Sequence, residues 1–400
     1  MTIGARMLLV HKDMHESLAR LPTTQPKTQE HLMPNVYFKS EKLLEAPVER
    51  AAFSDRMCYV CAELSKLAYF KFEGGHPLYQ AEAVVDSFIK DEDKAKNLKD
   101  GLALIISQMP GTEEASKQVL DDILCAGGFT LTDVFSYKGT QAFLCTRDVI
   151  NRESGAKKKV AYLAFRGTEP SDFRDIKADV KARLIKVEVG DETLEFHSGF
   201  YGAYQLIEDD LKKALAALKY DQLFITGHSL GGALAMTATR LLPFEIKGAC
   251  YTYGAPPIGT IHIQNGLKTP VYEIINETDI VPLLPNAWAA WGVIILFNIF
   301  KLLLRPFVWL YGAIFSGNWD ERFVHYMRTM TLFEHPGYKS YLIGSEQQAR
   351  LRFQISGYAR LKIRVKTIWK QGFGGIKKMA GDHSVDLYVE KIRSHAERRN

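Results

Sequence analysis

The stretch "LFITGHSLGGALAMTATRLL" holds the residues best suited to chemistry. Gly227-His228-Ser229-Leu230-Gly231 is a G-x-S-x-G, preceded by an apolar run and followed by a small-residue helix start. A serine on a tight turn between strand and helix projects its hydroxyl from the sheet, and the flanking glycines keep side chains off the neighbouring backbone. Ser229 is therefore the candidate nucleophile. The other reading of the same residues is a glycine-rich strand–helix turn without chemistry. A serine hydroxyl is a poor nucleophile unaided, so a base and an orienting acid are required.

With this kind of turn the chain order is Ser, then Asp or Glu, then His. "VYEIINETDIVPLLP" offers Asp279, just beyond an apolar strand and followed by the chain-fixing Val281-Pro282. Glu277 is the near competitor, and a purely structural turn aspartate is the alternative. Four histidines follow: His325, His335, His383 and His395. His395 sits in the charged tail "IRSHAERRN" and reads as solvated; His325 and His335 flank a region that reads as a strand. His383, in "MAGDHSVDLYVEKI", lies in a loop that opens a helix, is freed by Gly381-Asp382, and is the favoured base. The oxyanion formed on acyl attack needs preorganised N–H donors. Leu230, directly after the nucleophile, offers one from its backbone. Thr168, in the turn after "VAYLAF", offers a backbone N–H and a hydroxyl, unless it only caps a helix.

These residues need elements to hold them. From about residue 130 the short apolar runs "QAFLC", "VAYLAF", "LFIT", "ACYTYG" and "VYEII" alternate with helical segments. One of these, 205–218, sets Ile207, Leu211, Leu215 and Leu218 on a single face. Continuous apolar strands alternating with helices predict an α/β fold with a mostly parallel sheet covered on both faces. Residues 1–45 read as an irregular arm rich in proline, 48–70 as a helix, and 78–126 as helical and charged. Residues 46–400 are expected to form one catalytic domain.

Composition narrows the class. Of 400 residues, 46% are hydrophobic and 24% charged, the balance of a chain that buries a core and not of a disordered one. A net charge of +5 is small for this length and does not suggest nucleic acid. The odd, sparse cysteines exclude a disulfide framework. Cys58 and Cys61 form a CxxC on a helical segment without further ligands, so both read as small buried residues. His11 and His15 lack a third ligand. No metal and no cofactor is expected. The N-terminus shows only a four-residue apolar run, too short for a secretory signal, so a cytoplasmic or peripherally membrane-associated location is expected, with signal-independent export left open.

"AFRGTE", "FHSGFYGAY", "ITGHSLGGALA", "YTYGAPPIG", "IINETDIVPLLP" and "GDHSVDLYVEKI" follow one another over residues 160–392. In kind and order they resemble the class 3, or fungal-type, lipases of the α/β-hydrolase superfamily, with "SDRMCYVCAELSKLAY" and "GTQAFL" like that family's lead-in. The resemblance implies hydrolysis of lipid carboxylic esters through an acyl-serine. It implies Ser229 as nucleophile, Asp279 as acid and His383 as base, with Thr168 and Leu230 as oxyanion donors and His197 as structural. The chain departs from the family in two places. Where those lipases carry an apolar lid, this chain reads "TEPSDFRDIKADVKAR", which is charged. It also inserts an apolar stretch, "WAAWGVIILFNIFKLLLRPFVWLYGAIF", within 287–319.

Asp279 and His383 must meet at Ser229, so a single membrane span within the insertion would part them. Two spans need about 40 apolar residues plus a turn, more than residues 288–315 supply. An interfacial lid or acyl pocket, with Trp288, Trp291, Trp309 and Tyr311 suited to a water–lipid boundary, is the leading expectation; a core hairpin or oligomer contact is the other. Between Glu346 and Asp382 the chain is basic and free of acidic residues. This stretch, 350–378, reads as a solvated face or as a surface for anionic headgroups. The expected partner is a lipid or other acyl ester at an interface, and no nucleic acid. A phospholipase A1 acting on anionic phospholipids is the alternative, possible as an exported effector, and a catalytically silent membrane-binding module is the rival of another class.

Overall fold

A computed structural model of the chain describes residues 37–47, 51–70, 112–151, 154–167, 183–243, 248–283, 319–353 and 381–399, with a few isolated residues between them. Two compact units are present, 1–39 and 40–400. The first is described only at 37–39. In the second, a helix already runs from Glu41 to Leu44 (α1), inside the stretch expected to be irregular.

An eight-stranded sheet organises this larger unit: β1 (Thr130–Tyr137), β2 (Thr140–Ile150), β3 (Lys157–Phe165), β6 (Gln222–His228), β7 (Cys250–Tyr253), β8 (Val271–Asn276), β9 (Tyr338–Ile343) and β10 (Arg350–Phe353), in that spatial order. β4 (Leu184–Val189) and β5 (Glu192–His197) form a separate antiparallel hairpin. The five strands from β3 to β9 run parallel. The pairs β1–β2, β2–β3 and β9–β10 are antiparallel. The expected mostly parallel α/β sheet is thus the centre of this larger unit. The outer strands were not legible because β1, β4 and β10 are half-exposed and carry no continuous apolar run.

The helices described are α2 (Asp55–Leu67), α3 (Thr112–Ala126), α4 (Ser198–Gln205), α5 (Glu208–Ala217), α6 (Leu230–Leu241), α7 (Trp319–Thr331) and α8 (Val385–Glu397). Successive residues of a strand face opposite sides of a sheet, and β6 shows both sides. Leu223 and Ile225 enter a core with Ala161, Leu163, Phe165 and the buried face of α6. Phe224, Thr226 and His228 turn the other way. There Phe224 stacks on Tyr162 with centroids 5.7 Å apart, and Thr226 meets Ser65 of α2 at 2.8 Å. Both faces are therefore covered, and every residue of β6 is buried.

Several expected boundaries shift. The helix expected over 48–70 begins at Asp55, where the Ser54 side chain accepts the Met57 N–H and ends the extended lead-in. The helix expected over 205–218 starts only at Glu208, because Leu206 and Ile207 make the turn between α4 and α5. The region between His325 and His335 is mostly helix, not strand: α7 carries an amphipathic period through Thr331. Most of 78–111 and of the apolar insertion lies outside the described residues; of 288–315 only Ile299 and Leu302 are described, both helical and exposed. No helix among the described residues is long and apolar enough to cross a membrane.

Candidate active site

β6 ends at His228, and Ser229 follows with φ 57° and ψ −128°, a left-handed conformation that a non-glycine residue adopts at a cost. Its N–H donates to the Tyr253 carbonyl at 2.9 Å, so the strained residue is tied to β7. The two motif glycines are there for space. A Cβ on Gly227 would lie 2.2 Å from the Gly231 carbonyl oxygen, and one on Gly231 would lie 2.3 Å from that of Phe165 at the end of β3. Leu230 is the first residue of α6, placed directly behind Ser229.

The structure brings three residues into one hydrogen-bonded chain. His383 Nε2 lies 2.8 Å from Ser229 Oγ, and His383 Nδ1 lies 2.8 Å from Asp279 Oδ2. Ser229 and Asp279 are 0% exposed and His383 is 4% exposed. Asp279 sits in the turn between β8 and the short 3-10 segment Val281–Leu283. Its Oδ1 accepts the Val281 N–H at 2.9 Å. Of the competitors, Glu277 lies in the same turn, with its backbone N–H on Leu342 of β9. Asp279 is the residue that faces the imidazole.

The other histidines fall elsewhere. His325 is exposed on α7. His335 precedes β9 and bonds to Glu273 and Pro282. His395 is not solvated: it is 7% exposed, and its Nδ1 accepts the Leu351 N–H of β10. The charged tail forms the last turns of α8, whose inner face packs on the sheet edge, and that face carries His395. His197 caps α4 by accepting the Gly199 N–H and stacks on Phe200 at 4.2 Å. Thr168 and the charged stretch after it, up to residue 182, lie outside the described residues.

Several residues that the sequence did not single out build the frame. Tyr388 on α8 donates its hydroxyl to Asp279 Oδ2 at 2.7 Å and accepts the Asn276 N–H at 2.8 Å. Burial, with the Asp279 charge beside it, pushes this phenol well above its ordinary value, so it stays a donor. Asn276 gives its amide to the Asp382 carbonyl at 2.8 Å and accepts Lys391 Nζ at 2.7 Å. Thr278 donates to the Asp382 carboxylate. The acid turn and the histidine loop are thereby laced together by buried polar groups.

His228 adds a second support. Its Nε2 lies 2.7 Å from the His383 carbonyl and its Nδ1 2.7 Å from the Tyr69 hydroxyl. Burial, then the neighbouring His383, hold His228 well below the ordinary histidine value. The neutral ring donates from Nε2 to the carbonyl and accepts the tyrosine proton at Nδ1. Gly254 (φ 59°) completes the site, since a Cβ there would lie 2.7 Å from Asp279 Oδ2. In the sequence it stands at the end of the apolar run "ACYTYG" and within "YTYGAPPIG", without a role of its own.

With this geometry in view, residues 162–288 match the family model described as Lipase (class 3), a span that contains Ser229 and Asp279 but not His383. Toxin TseL of Vibrio cholerae serotype O1 is 26% identical over 256 residues, covering 58% of this chain and 40% of that protein. A lipase of Rhizopus oryzae is 28% identical over 144 residues, 32% of this chain and 36% of its own length. A lipase of Rhizomucor miehei is 31% identical over 150 residues, 33% of this chain and 39% of its own. The chain thus spans 40% or less of the length of each of these relatives. Over residues 162–288, which hold the strained serine turn, the chain is thus similar in sequence to the class 3 lipases.

Proposed function

We propose that the protein is a serine hydrolase that cleaves carboxylic esters of lipids, acylglycerols first, through an acyl-serine intermediate. The observation that carries this reading is the unbroken Ser229–His383–Asp279 hydrogen-bonded chain on a strained strand–helix turn. His383 Nε2 takes the Ser229 proton as Oγ attacks the ester carbonyl. The imidazolium then returns that proton to the alkoxide leaving group, which departs as the alcohol. Water, deprotonated by the same nitrogen, attacks the acyl-serine; the acid is released and Ser229 regains its proton. Asp279 orients the ring and stabilises its charged form. We assign the oxyanion donors to the Leu230 N–H, at the start of α6 where helix N–H groups lack intrahelical partners, and to Thr168.

Ser229 is 0% exposed, which fits a cover over its hydroxyl. We assign that cover and the lipid contact to the apolar stretch 288–315, on its composition and its place between acid and base. A phospholipase A1 activity on anionic membranes is the second reading, favoured by the basic stretch 350–378.

One substrate panel tests these assignments. Wild type should label with a fluorophosphonate and hydrolyse a soluble p-nitrophenyl ester, and Ser229→Ala should do neither. Turnover by that variant at the wild-type rate would refute the hydrolase reading. Neutral acylglycerol emulsions set against anionic phospholipid vesicles separate the two substrate classes. Removing 288–315 should reduce turnover on either lipid more than on the soluble ester; equal losses would remove the interfacial role.

A further inference from the structure

The turn that carries Asp279 is gripped a second time, by residues with no part in the steps above. Glu273 lies on β8, 1% exposed. Its Oε1 accepts the Gly337 N–H at 2.6 Å, and its Oε2 bonds to His335 Nδ1. On the other side of the ring, His335 Nε2 lies 2.6 Å from the Pro282 carbonyl oxygen. Both ring nitrogens thus lie against oxygen atoms, one of Glu273 and one of Pro282. Burial by itself would raise the Glu273 carboxyl. The His335 charge and hydrogen bond, Lys339 and the Gly337 N–H outweigh it and hold the acid below its ordinary value.

Pro282 belongs to the 3-10 segment Val281–Leu283, and the N–H of Val281 fixes Asp279 Oδ1. The Pro282 carbonyl thus belongs to the same short segment whose first N–H holds Asp279 Oδ1. The chain leaves for residues 284–334 just after this carbonyl and returns at the imidazole that binds it. The bond between His335 and Pro282 closes that excursion at its base.

We propose that His335, clamped by Glu273, is a positioning residue for Asp279: it anchors the acid-bearing turn to β8. The proposal rests on the hydrolase reading above. A reacting geometry that slips by an ångström costs up to about a hundredfold in rate, so loosening this anchor should appear in turnover more than in binding.

The experiment compares wild type, His335→Ala, Glu273→Gln and the double variant on a soluble p-nitrophenyl ester. Rates are taken per fluorophosphonate-titrated site, and melting curves are recorded in parallel. In each single variant kcat per titrated site should fall about tenfold while KM stays within about twofold. The double variant should lose no more than either single one, because the two residues act as one clamp. Wild-type kcat per site in His335→Ala, with only the melting temperature lowered, would overturn the proposal and leave His335 a structural residue. Strictly additive losses would overturn the shared clamp. Should His335→Ala fail to fold, His335→Gln, which keeps one donor, decides by the same ratio. Failure of the hydrolase reading is read separately, from Ser229→Ala.

Discussion

At the residue scale, the acid of the site is over-determined. Asp279 accepts bonds from His383, Tyr388 and Val281 and is buried. Tyr388→Phe removes one donor and leaves the Asn276 N–H without its acceptor. A hydrogen bond to a charged group is worth roughly 1.5 kcal/mol or more, close to tenfold in rate. Tyr388→Phe should therefore lower kcat by about tenfold, with the protein still folded by circular dichroism. Unchanged kcat would show that His383 and Val281 hold Asp279 unaided. From sequence Ser229 stood out on its G-x-S-x-G, and Asp279, with Glu277 as competitor, stood just beyond an apolar strand; Asp279 is the one that lies 2.8 Å from His383. Tyr388 did not stand out: nothing in "SVDLYVEKI" says that its phenol, five residues past His383, turns back toward the acid.

At the element scale, the passage from β6 into α6 depends on backbones meeting without side chains between them. Gly231 packs against the end of β3, where an added Cβ would meet Phe165 O and the Arg166 carbonyl carbon at 2.3 and 2.7 Å. Backbone cannot yield as a side chain does. Gly231→Ala should cost about 3 kcal/mol or more, read as a lower urea midpoint together with lost ester turnover. Gly202→Ala in α4 is the control, since nothing lies within 4 Å of its added Cβ. It should be neutral or stabilise by up to about 1 kcal/mol. A wild-type midpoint for Gly231→Ala would mean that α6 can shift away from β3. The strands β3, β6, β7 and β8 were legible as continuous apolar runs because both their faces are buried. α7 was misread because a single amphipathic helix between two histidines shows no apolar run.

At the scale of the whole molecule, burial of neutral histidines makes the fold sensitive to acid. Desolvation lowers His197 from 6.5 to about 4. Between these values the unfolded chain binds the proton and the folded one does not. The contribution of His197 is thus intact above about pH 6.5 and is lost as pH falls toward 4, by about 1.4 kcal/mol per pH unit. His197→Asn keeps an acceptor for the Gly199 N–H and removes the titration. The stability of wild type relative to this variant, from urea melts at successive pH values, should decline through that window. A constant difference would show that His197 charges freely in the folded state.

Local sequence pointed to the serine turn and the buried strands, because each is a requirement on neighbouring residues: small residues at the turn, apolar ones on both faces. His383 was favoured from its loop, and the tertiary structure brings it, of the four histidines, to Ser229 across 154 positions of chain. That structure also decided that His395 is buried, that His335 grips Pro282, and that Tyr388 and Gly254 shape the acid pocket. Those are contacts between elements far apart in sequence, fixed by how α8 and the loops after β7 and β8 pack at the ends of the parallel strands. No residue's immediate neighbours carry that information.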